Sequence, residues 1–283
     1  MVCDTRIQYF GWSTLSIEAP NGVLFFDPFY RNYCGAKWFN LEDLGDPNVV
    51  CITHGHEEHF RDCPEVLKQS GAKAVATKAI CDYLKWRNGV ARRQLNPISF
   101  DQPMEIDGFR ITAFPWQHRD INVYVKVLKG LLKSNLTMPA WAISSLINGP
   151  FYSAFTGFHV ELPNGLTVLN YNEGFNTKMT DAEITALGTQ FKTDVLLAGM
   201  QMHYMEDVAR GAAALKPRII LLYPPHEKFH EMMGATMSPW EDFAEAVQDR
   251  VPDSVVVIAS PGTSIDAATG DILEPRASSV VPP

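Results

Sequence analysis

The sequence has no Cys-x-x-Cys pair, no Gly/Ser-rich linker, no internal repeat and no excess of positive charge. Each absence excludes something. The five cysteines, Cys3, Cys34, Cys51, Cys63 and Cys81, are an odd number without a paired spacing, which argues for reduced thiols over a disulfide frame. Met1-Val-Cys-Asp-Thr does not lead from a basic segment into an apolar one, so a secretory signal is not expected and the sequence reads as cytoplasmic. Without a linker, the 283 residues are expected to form one domain, 1–283, and the 46% apolar content suffices for a sizeable core. The net charge of −8 disfavours broad nucleic-acid binding.

Charge is also missing locally. Ser134 to Val160 holds no Asp, Glu, Lys or Arg, yet Pro139, Asn148, Gly149, Pro150 and Gly157 interrupt it. A membrane-spanning helix needs roughly 20 predominantly apolar residues, so no transmembrane segment is expected. The stretch reads as an apolar insertion or lid at 121–157, with membrane-surface contact as the lesser alternative. Trp141, Phe151, Tyr152 and Phe155 would form either a lid for a lipid-like group or ordinary core, the second being favoured.

What is present begins with short strands. Arg6–Tyr9 and Thr14–Ile17 alternate, Pro20-Asn21-Gly22 signals a turn, and Val23–Phe26 is apolar throughout, as in a strand buried on both faces. Val49–Thr53 is another β-branched run. Helical patterns follow around Pro64–Gly71 and Lys78–Trp86, with Ala74–Ala76 extended between them. Strands return at Phe109–Phe114, Phe155–Leu162 and Leu166–Asn170. The last third alternates helix and strand: Asp181–Phe191, Val195–Ala198, Met205–Leu215, Ile219–Tyr223, Pro239–Asp249 and Val255–Ala259. Two sheets with helices on their outer sides fit this order.

Directly after the run Val49–Thr53 stands His54-Gly55-His56-Glu57-Glu58-His59, three imidazoles and two carboxylates in six residues. These are the donors that suit zinc, manganese or iron. His54 and His56, two apart in an extended loop, place both rings on one side, and Glu58 and His59 join them once the chain turns. A lone histidine here would read as a solvated loop residue. Three at this spacing point to a metal, and the bound cation would admit an anionic substrate to an otherwise acidic protein.

This segment, with Gly11-Trp12-Ser13-Thr14 and Asp27-Pro28 upstream, resembles the HxHxDH signature of the metallo-β-lactamase superfamily, in particular its ascorbate-6-phosphate lactonase-like and phospholipase-D-like hydrolases. The likeness implies an α/β fold, the αββα four-layer sandwich, and a metal-dependent hydrolase with two divalent metal ions, zinc ahead of manganese or iron. Carried over by position, His54, His56 and His118 would hold one ion, Glu58, His59 and His226 the other, with Glu173 between them. Asp27 would support the imidazoles from behind. Glu58 and Glu173 stand where the pattern has Asp, so each carboxylate reaches one methylene farther. Glu58 could also shuttle a proton for a metal-activated hydroxide attacking an ester, lactone or phosphodiester of a small-molecule substrate, anionic or lipid-like. His203 is expected either to contact substrate or protonate a leaving group, or to be a partly buried structural histidine. His159 reads as a core histidine and His230 as a surface helix residue.

Two other readings compete. His226-Glu227-Lys228-Phe229-His230 is an HExxH string, the zinc-protease pattern, but Pro224-Pro225 put His226 at a helix start rather than within one. The second is a redox, iron-dependent or non-catalytic metal-binding member of the same fold.

Overall fold

The computed structural model describes residues 5–119, 143–144 and 147–274. Their strands form two sheets. The first contains β1 (Arg6–Gly11), β2 (Thr14–Ala19), β3 (Gly22–Phe26), β4 (Val49–Cys51), β5 (Lys73–Ala76), β6 (Leu95–Pro97), β14 (Ser264–Asp266) and β15 (Ile272–Leu273), in the order β15-β14-β1-β2-β3-β4-β5-β6. The second contains β7 (Met104–Ile106), β8 (Phe109–Pro115), β9 (Thr156–Glu161), β10 (Thr167–Asn172), β11 (Val195–Gly199), β12 (Ile219–Tyr223) and β13 (Val255–Ile258), in the order β13-β12-β11-β10-β9-β8-β7. Each sheet is antiparallel at one end and parallel at the other: β3 to β6 run parallel, as do β10 to β13.

Alternation along the strands builds the layers. Leu24, Phe26, Val49 and Cys51 face inward and meet Ile111, Phe158, Val160, Leu197 and Leu221 of the other sheet. The intervening Phe25, Val50 and Ile52 face outward, onto Phe60, Val66, Leu67, Ile80 and Leu84 of the helices Glu57–Phe60, Cys63–Ser70 and Lys78–Trp86. The outer face of the second sheet is likewise covered by Ile184, Leu187, Val208, Ala212, Leu215, Phe243 and Val247, from the helices Asp181–Gln190, Met205–Leu215 and Trp240–Arg250. Helix, sheet, sheet, helix is the expected αββα sandwich. Strands buried on both faces must be apolar at every position, which is why Val49–Cys51 and Ile219–Tyr223 do not alternate.

The expected strands and helices are present within a few residues. The short strands β6, β7, β14 and β15 go beyond the sequence reading. Two expectations change. Phe151 and Tyr152 are not core residues: they are 48% and 65% exposed. His230 is not on the surface but buried. Trp141 and most of the 121–157 insertion lie outside the described residues. Among the described residues no helix is long and apolar enough to cross a membrane, and Cys34, Cys51, Cys63 and Cys81 form no disulfide.

One glycine is fixed by close approach. A Cβ on Gly55 would lie 2.1 Å from the Pro150 carbonyl oxygen, a backbone atom that has no rotamer to escape into. The 149–150 segment therefore packs flat on the His54-Gly55-His56 loop, and Thr156 N donates to Thr53 O at 3.0 Å to hold it there. Gly55→Ala is expected to cost about 1–3 kcal/mol in chemical denaturation and to lower metal affinity with it, because the two histidines flank the displaced residue. Wild-type affinity in a folded Gly55→Ala variant would contradict this packing.

Candidate metal centre

Five strand ends open onto one edge of the sandwich. β3 delivers Asp27, β4 delivers Thr53 and His54, β8 leads to His118, β10 to Glu173 and β12 to His226. Ligands gather at the carboxyl ends of strands in open α/β sheets for the same topological reason. His56 caps the short helix Glu57–Phe60, whose first turns carry Glu58 and His59 into the group.

The structure brings together seven of the residues singled out by sequence. His54 Nε2 and His56 Nδ1 face each other at 3.0 Å. The His56 and His118 rings are 5.0 Å apart, and those of His54 and His118 6.2 Å. Glu173 accepts from His59 Nε2 at 2.9 Å and from His118 Nε2 at 3.1 Å, and it contacts His226 Nε2. The donor atoms of Glu58, His59 and His226 lie within 4.8 Å of one another, as do those of His54, His59 and Glu173. Five of these residues are buried, and His56 and His118 are partly so.

Asp27 organises the imidazoles. Its carboxylate accepts from Thr53 N at 2.8 Å, Thr53 Oγ1 at 2.5 Å, Asn172 Nδ2 at 3.2 Å and His59 Nδ1 at 2.7 Å. Because the Thr53 hydroxyl spends its hydrogen on Asp27, it must accept from His54 Nδ1, 3.0 Å away. His54 and His59 are thus both hydrogen-bonded through Nδ1, and both present Nε2 to the centre. Asp27 and Asn172 hold left-handed backbone, φ +43° and +49°, which Asp and Asn tolerate better than other side chains.

Burial sets the charge states. It pushes the His54 imidazole well below its usual range, reinforced by the neighbouring rings of His59 and His56. It takes His56 down to about 4, with His118 pushing the same way and Glu58 opposing. These rings are neutral at pH 7 and keep their lone pairs. Burial also presses His59 down, but the carboxylates of Asp27 and Glu173 outweigh it and hold the ring up at about 10. Burial would raise Glu173, yet His226, His118 and His59 keep it well below the usual carboxylate range.

This donor set fits divalent cations. His226 Nδ1 and Glu58 Oε2 are buried without a hydrogen-bond partner among the described residues, and His226 Nδ1 lies 3.9 Å from Glu58 Oε1, too far for a hydrogen bond. A cation between them would satisfy both. Phe155 and Trp116 wall the other side, Phe155 at 4.9 Å from the His54 ring and 4.8 Å from that of His118.

His203 is not brought into this group. It is exposed, with Nδ1 bonded to Ser238 Oγ at 2.8 Å and Nε2 3.5 Å from Thr236 Oγ1. His159 is a core histidine, bonded to Lys192 O at 2.8 Å and stacked on Phe191. The HExxH string does not make a second site: His226 caps the helix Glu227–Met232 and turns to Glu173, whereas His230 accepts from Arg119. Sequence reasoning missed Asn172, the Thr53 relay and Arg119. Their roles arise only where distant loops meet.

The chain belongs to the beta-lactamase superfamily: the profile of the Beta-lactamase superfamily domain matches residues 6–222, well over half of its length. It is similar to a UPF0173 metal-dependent hydrolase of Methanosphaera stadtmanae, 29% identical over 263 residues that cover 91% of this chain and 97% of the relative. In fold it is similar to Igni18, a metallo hydrolase from Ignicoccus hospitalis, with a TM-score of 0.67 at 20% identity, covering 92% and 97% of the two chains. It also shares its fold with CmlA, a diiron β-hydroxylase from Streptomyces venezuelae, with a TM-score of 0.62 at 12% identity, covering 91% of this chain and 53% of that one.

Proposed function

We propose that this protein is a metal-dependent hydrolase with a two-cation centre, acting on an ester, lactone or phosphodiester bond of a small molecule. The observation that carries the reading is the pair of buried atoms His226 Nδ1 and Glu58 Oε2, without a hydrogen-bond partner among the described residues, beside imidazoles whose Nε2 atoms Asp27 aims at the same spot. His54, His56 and His118 would hold one cation and Glu58, His59 and His226 the other, with Glu173 between them. Divalent cations in such a centre activate water at neutral pH and stabilise charge on attacking and leaving oxygens. The chain's own part is positional. Asp27 and Thr53 fix which nitrogen of His54 and His59 faces inward, Glu58 would take up a proton at the carboxylate oxygen that does not hold the cation, and Phe155 and Trp116 exclude bulk water. UPF0173 relatives named metal-dependent hydrolases support the class.

The donor set takes zinc, manganese or iron, and the fold shared with a diiron hydroxylase gives oxidation chemistry a specific foothold. Elemental analysis with a panel of neutral esters and lactones and of phosphodiesters decides. The expected result is two equivalents of divalent metal and hydrolysis of at least one class, abolished by chelation and restored by metal. Loaded protein inert on every class overturns the hydrolase reading, as does iron with dioxygen uptake in its place.

A further inference from the structure

We propose that Arg119, oriented by His230, recognises an anionic group on the substrate, a carboxylate or a phosphate, beside the metal centre. This deepens the hydrolase reading and rests on it.

Arg119 is the only arginine or lysine buried among the described residues, at 8% exposure. Its Nη2 donates to His230 Nε2 at 3.0 Å, and its Nε has no hydrogen-bond acceptor among the described residues. It pairs with no carboxylate among the described residues, in contrast to the more exposed arginines: Arg31 has Asp62 and Glu65, Arg61 has Glu57, and Arg210 has Asp181 and Asp207. A guanidinium cannot shed its proton to escape burial, and a buried cation without a counter-ion is costly. His230 does not supply one, because a ring nitrogen that accepts from a guanidinium carries no proton. It aims the guanidinium instead.

The position is tied to the centre from two sides. His118 Nδ1 bonds the Arg119 carbonyl oxygen at 2.7 Å, so the backbone of Arg119 is fixed to one candidate ligand. His230 lies one helical turn after His226, with ring centroids 6.3 Å apart, so the side chain of Arg119 is fixed one ring beyond the other. The carboxylate of the centre on that side, Glu173, is already engaged by His59, His118 and His226. An incoming oxyanion is the missing partner, and a planar guanidinium is shaped to grip two of its oxygens. In a protein of net charge −8 such a cation also offsets the long-range repulsion an anionic substrate meets.

The test compares wild type, Arg119→Gln and Arg119→Lys, each metal-loaded and checked for folding by circular dichroism. Calorimetry with inorganic phosphate and with succinate reads the anion site without needing turnover. At least one of the two anions is expected to bind wild type and to lose about tenfold or more in affinity in Arg119→Gln, with partial recovery in Arg119→Lys. The anion that responds tells phosphate from carboxylate. In parallel, kcat/KM is measured on 4-nitrophenyl acetate and on mono-4-nitrophenyl succinate, the same bond with and without a carboxylate. If succinate is the anion that responds, the succinate-to-acetate ratio should fall by a similar factor in Arg119→Gln, mainly through KM. If both anions bind Arg119→Gln as tightly as wild type, or neither binds wild type, the anion site is wrong even where the esters are cleaved. If the anion difference holds and the ester, lactone and phosphodiester panel is untouched, the hydrolase reading fails and the anion site stands.

Discussion

Glu173→Gln is expected to strip the protein of metal and of hydrolysis together. The substitution is nearly isosteric, so packing loss does not explain the outcome. What disappears is one negative charge, buried among His59, His118 and His226 and held ionised by them against its own burial. Removing one member of a buried charged network leaves the others uncompensated, which is far more damaging than replacing the whole network. Metal content after dialysis should fall below one equivalent, and kcat/KM should drop by more than the about 10–100-fold typical of residues that only support a ligand. Glu173→Asp keeps the charge but withdraws it by a methylene, so partial metal retention is expected. A folded Glu173→Gln variant with full metal content would show that the carboxylate does not lie between the cations.

Asp27→Asn is the second large effect, and its sign depends on pH. Asp27 and Glu173 hold His59 up at about 10 in the metal-free protein, against about 6.5 in an unfolded chain. A raised folded value means this ion triad stabilises the metal-free fold fully below about pH 6.5 and that the contribution is lost as pH rises through about 10. The same proton competes with the cation for His59 Nε2, so metal uptake by chelator-treated protein should release about one proton near neutral pH. Asp27→Asn removes both the support for the ligand ring and the cause of the raised value. The variant should bind metal about 10–100-fold more weakly at about pH 9, and its deficit should narrow toward pH 7, because it has less proton to displace. Calorimetry in buffers of different ionisation enthalpy reads the proton count directly. A deficit constant across pH, with unchanged proton release, would mean that Asp27 does not govern His59.

Much of the frame was readable in advance, for a physical reason. Strands buried on both faces must be apolar at every position, so Val23–Phe26 and Ile219–Tyr223 stand out in the sequence. The missed strands are edge or near-edge pieces of two or three residues, such as Leu95-Asn96-Pro97, whose polar and proline content carries no strand signal. At the site, His54 to His59 announced themselves because six consecutive residues carry the donors. Asn172 did not, because its hydrogen bond to Asp27 spans 145 residues and depends on two sheets meeting. His230 looked like a surface position because a six-residue helix with mixed polarity carries no clear inward face in the sequence, whereas in the fold Phe229 packs with Trp12 and Phe29 and Arg119 meets the His230 ring. Arg119 stands out by having no carboxylate partner among the described residues, which a linear sequence cannot display.

The most direct measurement is an anomalous-difference map from crystals of metal-loaded protein, collected on both sides of the absorption edge of the bound metal. Two peaks are expected, one among His54, His56 and His118 and one among Glu58, His59 and His226, with Glu173 between them. A single peak between His226 and His230, or peaks only at the protein surface, would contradict the assignment of the whole centre.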